Sequence, residues 1–345
     1  MLGKKLEWYE FIDRYEKVVK SDISILINYV KSNKKKWLNF KQDFISKIEE
    51  KKLVKDIEEL KKSINKLSYD DKVLSKEQKK EILKIVCSEN DVDTINKLEK
   101  IFNYSTFSKN SDQWGRSEFL TLLGVEVCPY CNRQYITHFK KEGINRSTAD
   151  LDHYFAQSKY PFLALSIYNF IPCCAICNRT FKRDSDQELI YPYEESFDDE
   201  DINFKFTTGF NKMNDFTYLI GENSQFNIEL STINKDIDDE KIIRANSSKE
   251  VLNLERIYNS HRKYVSDLAK KFQFYDENWI KSIVDKYGDE LELEEKDVVE
   301  LEFGNYLSLD KFNERPLAKL TRDILEELNE SRTTNMLGEI LNRKI

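Results

Sequence analysis

The feature that most constrains this chain is a pair of cysteine knuckles, Cys128-Pro-Tyr-Cys131 and Cys174-Ala-Ile-Cys177, separated by 42 residues. Each knuckle presents two sulfurs from one tight turn. Two knuckles together supply the four ligands of a closed tetrahedral zinc site, which ties the chain between them into a loop stapled at its base. Two other readings remain: thiols that are merely buried, or a thioredoxin-like dithiol, which leaves the second pair without a use. The chain has six cysteines, and five fall between positions 128 and 177. Clustered thiols without a disulfide framework point to metal in a reducing compartment. Cys173, directly before the second knuckle, fits no knuckle spacing and reads as a buried spare.

The rest of the chain is helix-rich. Of its 345 residues 34% are charged and 40% hydrophobic, with only 9 Gly and 5 Pro, a composition for short connections rather than a disordered or fibrous chain. Trp8, Phe11, Ile12, Tyr15, Val18 and Val19 recur at helical spacing, as do Leu53, Ile57, Leu60, Ile64 and Leu67. Lys31 to Lys36 forms a basic cluster between such helices. Residues 105–125 read as a connection ending in a short apolar stretch. Downstream of the cysteines, Glu194 to Asp201 reads as a solvated acidic loop. Phe204-Lys-Phe206, Thr217 to Ile220 and Phe226 to Leu230 read as short strands of one small sheet. Helical spacing returns from Ser248, and a last helix is predicted over Leu317 to Asn329. The organisation is α+β: a helical part over 1–104, a cysteine-bearing part over 105–200, and a mixed, mostly helical part over 201–345.

Charge and hydropathy set further bounds. No apolar run approaches the 18 or so residues of a membrane span, and the opening residues form no signal-peptide core; the expectation is a cytoplasmic protein that does not enter a membrane. The net charge of −7 is unevenly spread. Residues 1–100 hold 24 basic against 19 acidic side chains, 101–190 hold 10 against 9, and 191–345 hold 21 against 34. The acid lies outside the cysteine window, so the overall sign does not exclude a local basic surface for nucleic acid.

Between the knuckles lies Asp152-His153, and the chain has only three histidines. A carboxylate next to an imidazole is the pair that phosphodiester hydrolysis asks for. The carboxylate holds a hard divalent cation, Mg²⁺ or Mn²⁺, and the neutral ring takes a proton from water. An amide oxygen is an acceptable further ligand to such an ion, and Asn178, directly after the last knuckle cysteine, can supply one.

Asp152-His153, Asn169 and Cys174-x-x-Cys177-Asn178, taken in that order with the four cysteines, resemble the HNH endonuclease motif in the form whose last histidine is asparagine. The resemblance covers residues 128–182. It implies a zinc-stapled ββα-metal finger, with strands over Arg133 to Phe139 and Thr148 to His153 and with the loop and helix around Asn169 to Lys182. It implies His153 as general base, Asp152 and Asn178 as ligands of the catalytic metal, and Asn169 as a brace for the loop that carries the base. The stretch Ser158-Lys-Tyr-Pro-Phe-Leu-Ala-Leu165 departs from the family in being more apolar than its usual Gly/Asn-rich loop. More loosely, Leu151-Asp-His-Tyr-Phe with Ser158-Lys-Tyr-Pro, Leu252 to Arg262 and Arg315-Pro-Leu-Ala-Lys-Leu are similar to HNH subunits that accompany an ABC-type ATPase in Septu-like and retron-linked anti-phage systems. That likeness implies a partner ATPase.

Arg133, Arg179, Lys182 and Arg183 flank the expected site and are candidates for phosphate contacts to double-stranded DNA; such contacts position a duplex without reading its sequence. The bland alternative is solvated charge. His261 is read as a polar helix-face residue or a further phosphate contact, and His138 as a surface residue near a hairpin tip. The expected activity is endonucleolytic cleavage of DNA, with RNA not separable from the sequence. The competing reading is a catalytically silent, zinc-stabilised binding module. The polar set Asp152, His153 and Asn178 argues for the enzyme, because a scaffold has no use for it.

Overall fold

The antiparallel strand pair that carries Asp152-His153 organises the structure around the cysteines. The computed structural model describes residues 104–330 apart from 110–115, 159–163, 165–168, 186, 211–216, 221–225, 233–238 and 276. The helices read over the first hundred residues, the Lys31 to Lys36 cluster and most of the stretch from Ser158 to Leu165 lie outside the described residues.

Two short helices, α1 (Tyr104–Lys109) and α2 (Arg116–Leu123), stand where a connection is predicted; Phe119 and Leu120 of α2 are fully buried. The hairpin β1 (His138–Lys141) and β2 (Ile144–Ser147) follows. Its two-residue turn has Glu142 at φ 54° and Gly143 at φ 80°. Both values are positive, as the right-handed twist of a tight hairpin requires. This turn pairs β1 with β2, and not with the Asp152-His153 strand as the resemblance implies. That strand, β3 (Asp150–His153), pairs with β4 (Phe170–Cys173) in the register Asp150 to Cys173 and His153 to Phe170. All four residues of β4 are buried, so an apolar strand is the partner that β3's hydrogen bonds and its Leu151 favour. A π-helical segment over Ile176–Lys182 follows, its wide turn marked by the Arg183 N–H bonding the Asn178 carbonyl.

Strands β5 (Phe204–Thr207) and β6 (Glu229–Thr232) form a third antiparallel pair, with α3 (Thr217–Ile220) between them. The predicted middle strand at 217–220 is therefore a helical turn, with Leu219 fully buried and Tyr218 and Ile220 half-buried. Beyond it lie α4 (Glu240–Val251), α5 (Leu254–Tyr258), α6 (Arg262–Phe274), α7 (Glu277–Leu291), α8 (Glu295–Phe303) and α9 (Ala318–Glu330). Helix α4 starts earlier than its apolar spacing suggests, because the Asp239 side chain caps it by accepting from the Lys241 N–H. Among the described residues no helix is long and apolar enough to cross a membrane.

One buried core runs from Phe119 to Leu328 and takes in the knuckle cysteines. Helix α9 lies along β5 and is anchored by polar groups inside the core. Lys319, fully buried, pairs with Asp198 at 2.7 Å and with Asp323 at 3.0 Å. The Glu327 carboxylate accepts from the Thr208 N–H, the Thr208 hydroxyl and the Phe210 N–H. The acidic stretch at 194–201 is solvated at Glu194, Glu200 and Asp201 and tied down at Glu195 and Asp198. Glu195 pairs with Arg244, Asp198 with Lys319 and Asp201 with Lys241, and Phe197 is fully buried between them.

Candidate functional site

The four knuckle sulfurs meet. Cys128, Cys131, Cys174 and Cys177 are all buried, and their Sγ atoms lie within 4.8 Å of one another. With Zn–S bonds of about 2.3 Å, a tetrahedron has edges of about 3.8 Å; the Cys131 and Cys174 sulfurs are 4.0 Å apart. The backbone N–H groups of Cys174 and Cys177 point at the Cys128 and Cys174 sulfurs, at 3.3 and 3.5 Å, as donors that steady thiolate charge. Hydrogen bonds from the other three thiols drive Cys174 well below the ordinary thiol range, while hydrogen bonding with Cys128 raises Cys131 and Cys177. Four buried cysteine sulfurs this close together are a donor set that suits a soft divalent ion such as zinc, whose binding expels thiol protons. Cys173 is buried but contributes no sulfur to this group.

The first knuckle is held by distant segments. Asn132, at φ 48° and 1% exposed, ends the turn with every polar group engaged. Its carbonyl accepts from the Leu317 N–H, its side-chain oxygen from the Lys319 N–H, and its side-chain N–H donates to the Phe312 carbonyl. The Tyr258 hydroxyl donates to the Cys131 carbonyl at 2.6 Å. Arg133 donates to His261 Nε2 at 2.8 Å and lies over the Tyr258 ring. His261 is therefore a partner of Arg133, and burial, then the Arg133 charge, lower its pKa. His138 Nε2 meets the Val125 carbonyl.

Asp150 and Asp152 alternate on β3 and so share one face of the strand, and the π-helix sets a cation against each. Arg179 grips Asp150 with two hydrogen bonds of 2.6 Å, and the Asn178 amide adds a third at 3.2 Å. Lys182 Nζ lies 3.1 Å from Asp152 Oδ1 and 3.0 Å from Oδ2, and it donates to the His153 carbonyl at 2.8 Å. The Tyr130 hydroxyl, from the middle of the first knuckle, donates to Asp152 Oδ2 at 2.5 Å. Burial raises the Asp152 pKa, against the opposing pull of Lys182 and of the Tyr130 hydrogen bond.

The His153 ring stands edge-on to Tyr104 and Phe170, with centroids 4.5 and 5.2 Å away. Its Nε2 meets the Ala164 carbonyl at 3.0 Å. A carbonyl can only accept, so this contact places the proton on Nε2 and the lone pair of the neutral ring on Nδ1. Burial lowers the His153 pKa to about 4; the hydrogen bond to Ala164 opposes the shift and the Lys182 charge adds to it. Asn169 clamps the segment that follows. Its side chain exchanges two hydrogen bonds with the Phe155 backbone, and its carbonyl accepts from the Tyr154 N–H.

Asp152, His153 and Asn169 thus lie near one end of the β3–β4 pair along the backbone, each side chain with its own partners, and the knuckle cysteine Cys174 directly follows the other end of β4. The structure does not bring Asn178 to Asp152, since the amide faces Asp150. Asp152 is engaged by an ammonium and a phenol, and as arranged the two expected ligands do not fit a single divalent cation. Lys182, 2% exposed in its side chain, points inward; Arg179, 73% exposed, lies at the surface with its fork on Asp150. Arg183 is exposed and donates to the Arg179 carbonyl. Two residues of this site escape a reading by motif, Asp150 and Tyr130. The Asp-x-Asp-His alternation is the signal that points to Asp150; Tyr130 has none beyond its place inside the knuckle. No family model matches the chain, and neither a curated protein nor a solved structure matches it.

Proposed function

We propose that this chain is an endonuclease of the HNH type that hydrolyses phosphodiester bonds in DNA, with His153 as general base and a structural zinc on Cys128, Cys131, Cys174 and Cys177. The observation that carries the reading is His153 itself. Its ring is neutral, its Nε2–H is directed to the Ala164 carbonyl, and Nδ1 keeps the lone pair that accepts a proton from water. The antiparallel pair β3–β4 followed directly by a helical segment, with the sulfurs at its base, supports a finger of the ββα kind. When bound, zinc cross-links the two knuckles; four protein sulfurs leave no open position for water, so its contribution is structural. Asn169 holds the segment behind the base. Arg133, Arg179 and Arg183 are the flanking side chains proposed to meet DNA phosphates, and Lys182 is withdrawn from that role by its burial. Association with an ABC-type ATPase in an anti-phage system extends the same reading. That extension rests on the sequence likeness of Leu252 to Arg262 and Arg315-Pro-Leu-Ala-Lys-Leu.

A specific observation favours the silent-module alternative: both carboxylates on the face of β3 are already neutralised from within. Supercoiled-plasmid cleavage separates the two readings. The wild type and His153→Ala are compared in Mg²⁺, Mn²⁺ and EDTA, with zinc measured on the same samples. Metal-dependent nicking that disappears in His153→Ala, with one zinc per chain, supports the nuclease. Zinc-loaded wild type that never cuts, alone or with a co-purifying ATPase, supports the module.

A further inference from the structure

Two aromatic rings stand in water on the first hairpin: Tyr135 is 56% exposed and Phe139 47%. Apolar side chains scattered singly are ordinary at a surface, but these two share one pinned face. Tyr135 pairs with Val127, the Thr148 N–H donates to the Thr137 carbonyl, and β1 pairs with β2. Side chains alternate along an extended stretch of this kind. Ile136 is buried and His138 reaches the Val125 carbonyl, so Tyr135, Thr137, Phe139 and Lys141 are left on the outer face. Arg146 of β2 stands directly opposite Phe139, where cross-strand side chains share one surface. Charge separates this surface from a comparable one elsewhere. Residues 133–148 hold four basic side chains, Arg133, Lys140, Lys141 and Arg146, against the single acid Glu142, in a chain whose net charge is −7. Tyr287 of α7 is exposed too, but residues 285–297 hold seven acids against two bases. A polyanion is drawn to the first surface and repelled by the second.

The rings decide which polyanion fits. In a duplex the bases are stacked on one another, and a protein reaches only their edges and the phosphates. An unpaired strand offers its base faces, and an exposed aromatic ring is the platform that such a face takes. We infer that the outer face of this hairpin binds an unpaired stretch of nucleic acid, with Tyr135 and Phe139 stacked on bases and Lys140, Lys141 and Arg146 on the phosphates. Four strand positions separate the two rings, about 13 Å. That span covers about four phosphates of a strand at roughly 3.4 Å each, so the rings take separate bases of one strand rather than the two faces of a single base. The inference rests on the nuclease reading and names the form of its substrate: one with an unpaired segment beside the cleavage site, not a continuous duplex.

The test is fluorescence anisotropy with the zinc-loaded full chain and no Mg²⁺ or Mn²⁺, so that binding is read without cleavage. The probes are oligo(dT), oligo(rU) and a DNA duplex of one length. Wild type should bind at least one of the single strands tighter than the duplex, and the dT and rU arms tell DNA from RNA. Tyr135→Ala and Phe139→Ala should each weaken single-strand binding roughly fivefold or more, the loss of one base–aromatic stack, and leave duplex binding as it was. Tyr135→Phe should keep the affinity, because stacking needs the ring and not the hydroxyl. Arg146→Gln should weaken binding and lower its salt slope by about 1, and Tyr287→Ala should change nothing. On the unaltered chain, ultraviolet cross-links to the bound strand should map to residues 135–141. A duplex bound as tightly as either strand, no nucleic acid bound at all, alanine variants of unchanged affinity, or cross-links confined to other residues would each overturn the inference. Self-association that the two alanine variants abolish would overturn it as well, by assigning the face to a second copy of the chain. The outcome is separable from the nuclease reading. Ring-dependent single-strand binding by a chain that never nicks plasmid keeps the platform and removes the nuclease, and nicking by a chain indifferent to both rings does the reverse.

Discussion

Asn132 closes the first knuckle in the left-handed region, which costs most residues about 1–2 kcal/mol and which Asn and Gly tolerate best. Its side chain then bonds the Phe312 carbonyl and the Lys319 N–H inside the protein. Asn132→Ala should therefore lower stability by about 2–4 kcal/mol, from backbone strain and stranded buried partners together. Asn132→Gly should recover only the backbone share. Urea unfolding of both variants checks the split: equal losses would show that backbone strain contributes nothing, and an Asn132→Gly variant as stable as wild type would show that the side-chain bonds contribute nothing. His153 sits at the same scale. Removal of a general base lowers rate by about 10²- to 10⁴-fold, so His153→Ala should cut nicking by that order while its melting temperature stays near wild type. A parallel collapse of folding would make the loss uninterpretable as chemistry, so circular dichroism belongs beside the assay.

At the scale of elements, α9 depends on a charge buried where water cannot replace it. Lys319→Met leaves Asp198 and Asp323 facing each other without their cation, and removal of one partner from a buried pair costs about 3–5 kcal/mol. Arg179→Ala removes a cation that is itself 73% exposed from the buried Asp150, which keeps the Asn178 amide, so the urea midpoint should fall by less than in Lys319→Met, where the cation too is buried. Denaturation of the two variants side by side checks that burial, not hydrogen-bond length, decides the cost. Pairing of strands follows the same logic. The Glu142-Gly143 turn closes β1 on β2, so β3 is free to take the apolar β4, and the segment 217–220 forms a helical turn between β5 and β6.

For the whole molecule, the sulfur cluster and the C-terminal helices are one mechanical unit. Tyr258 bonds the Cys131 carbonyl, and the start of α9 bonds Asn132. Zinc removal by a strong chelator, or Cys174→Ser, should lower the melting temperature and speed amide exchange at Leu317 and Lys319, although neither touches the metal. Exchange that speeds only within residues 128–131 and 174–177 would show the knuckles to be mechanically separate. Metal analysis should find one zinc per chain in wild type and less in Cys174→Ser.

The four sulfurs were legible from spacing alone, because a knuckle is a local turn and two of them leave tetrahedral closure as the economical use of four thiols. The mixed helix-and-strand character was legible for the same kind of reason, and so was the position of α9. What only tertiary packing decided is which group neutralises which. Lys182 and Arg179 look alike in a list of basic residues, yet one is sealed on Asp152 and the other lies in water on Asp150. Asn178 follows the last cysteine as a ligand should, but the winding of the segment turns its amide to Asp150. The partner of β3 and the docking of Arg133 on His261 join positions up to 128 residues apart. Local spacing carries turns and periodicity; it carries no record of which distant charge the fold will place beside a buried carboxylate, because that choice is made by the shape of the assembled core and the cost of leaving the charge alone within it.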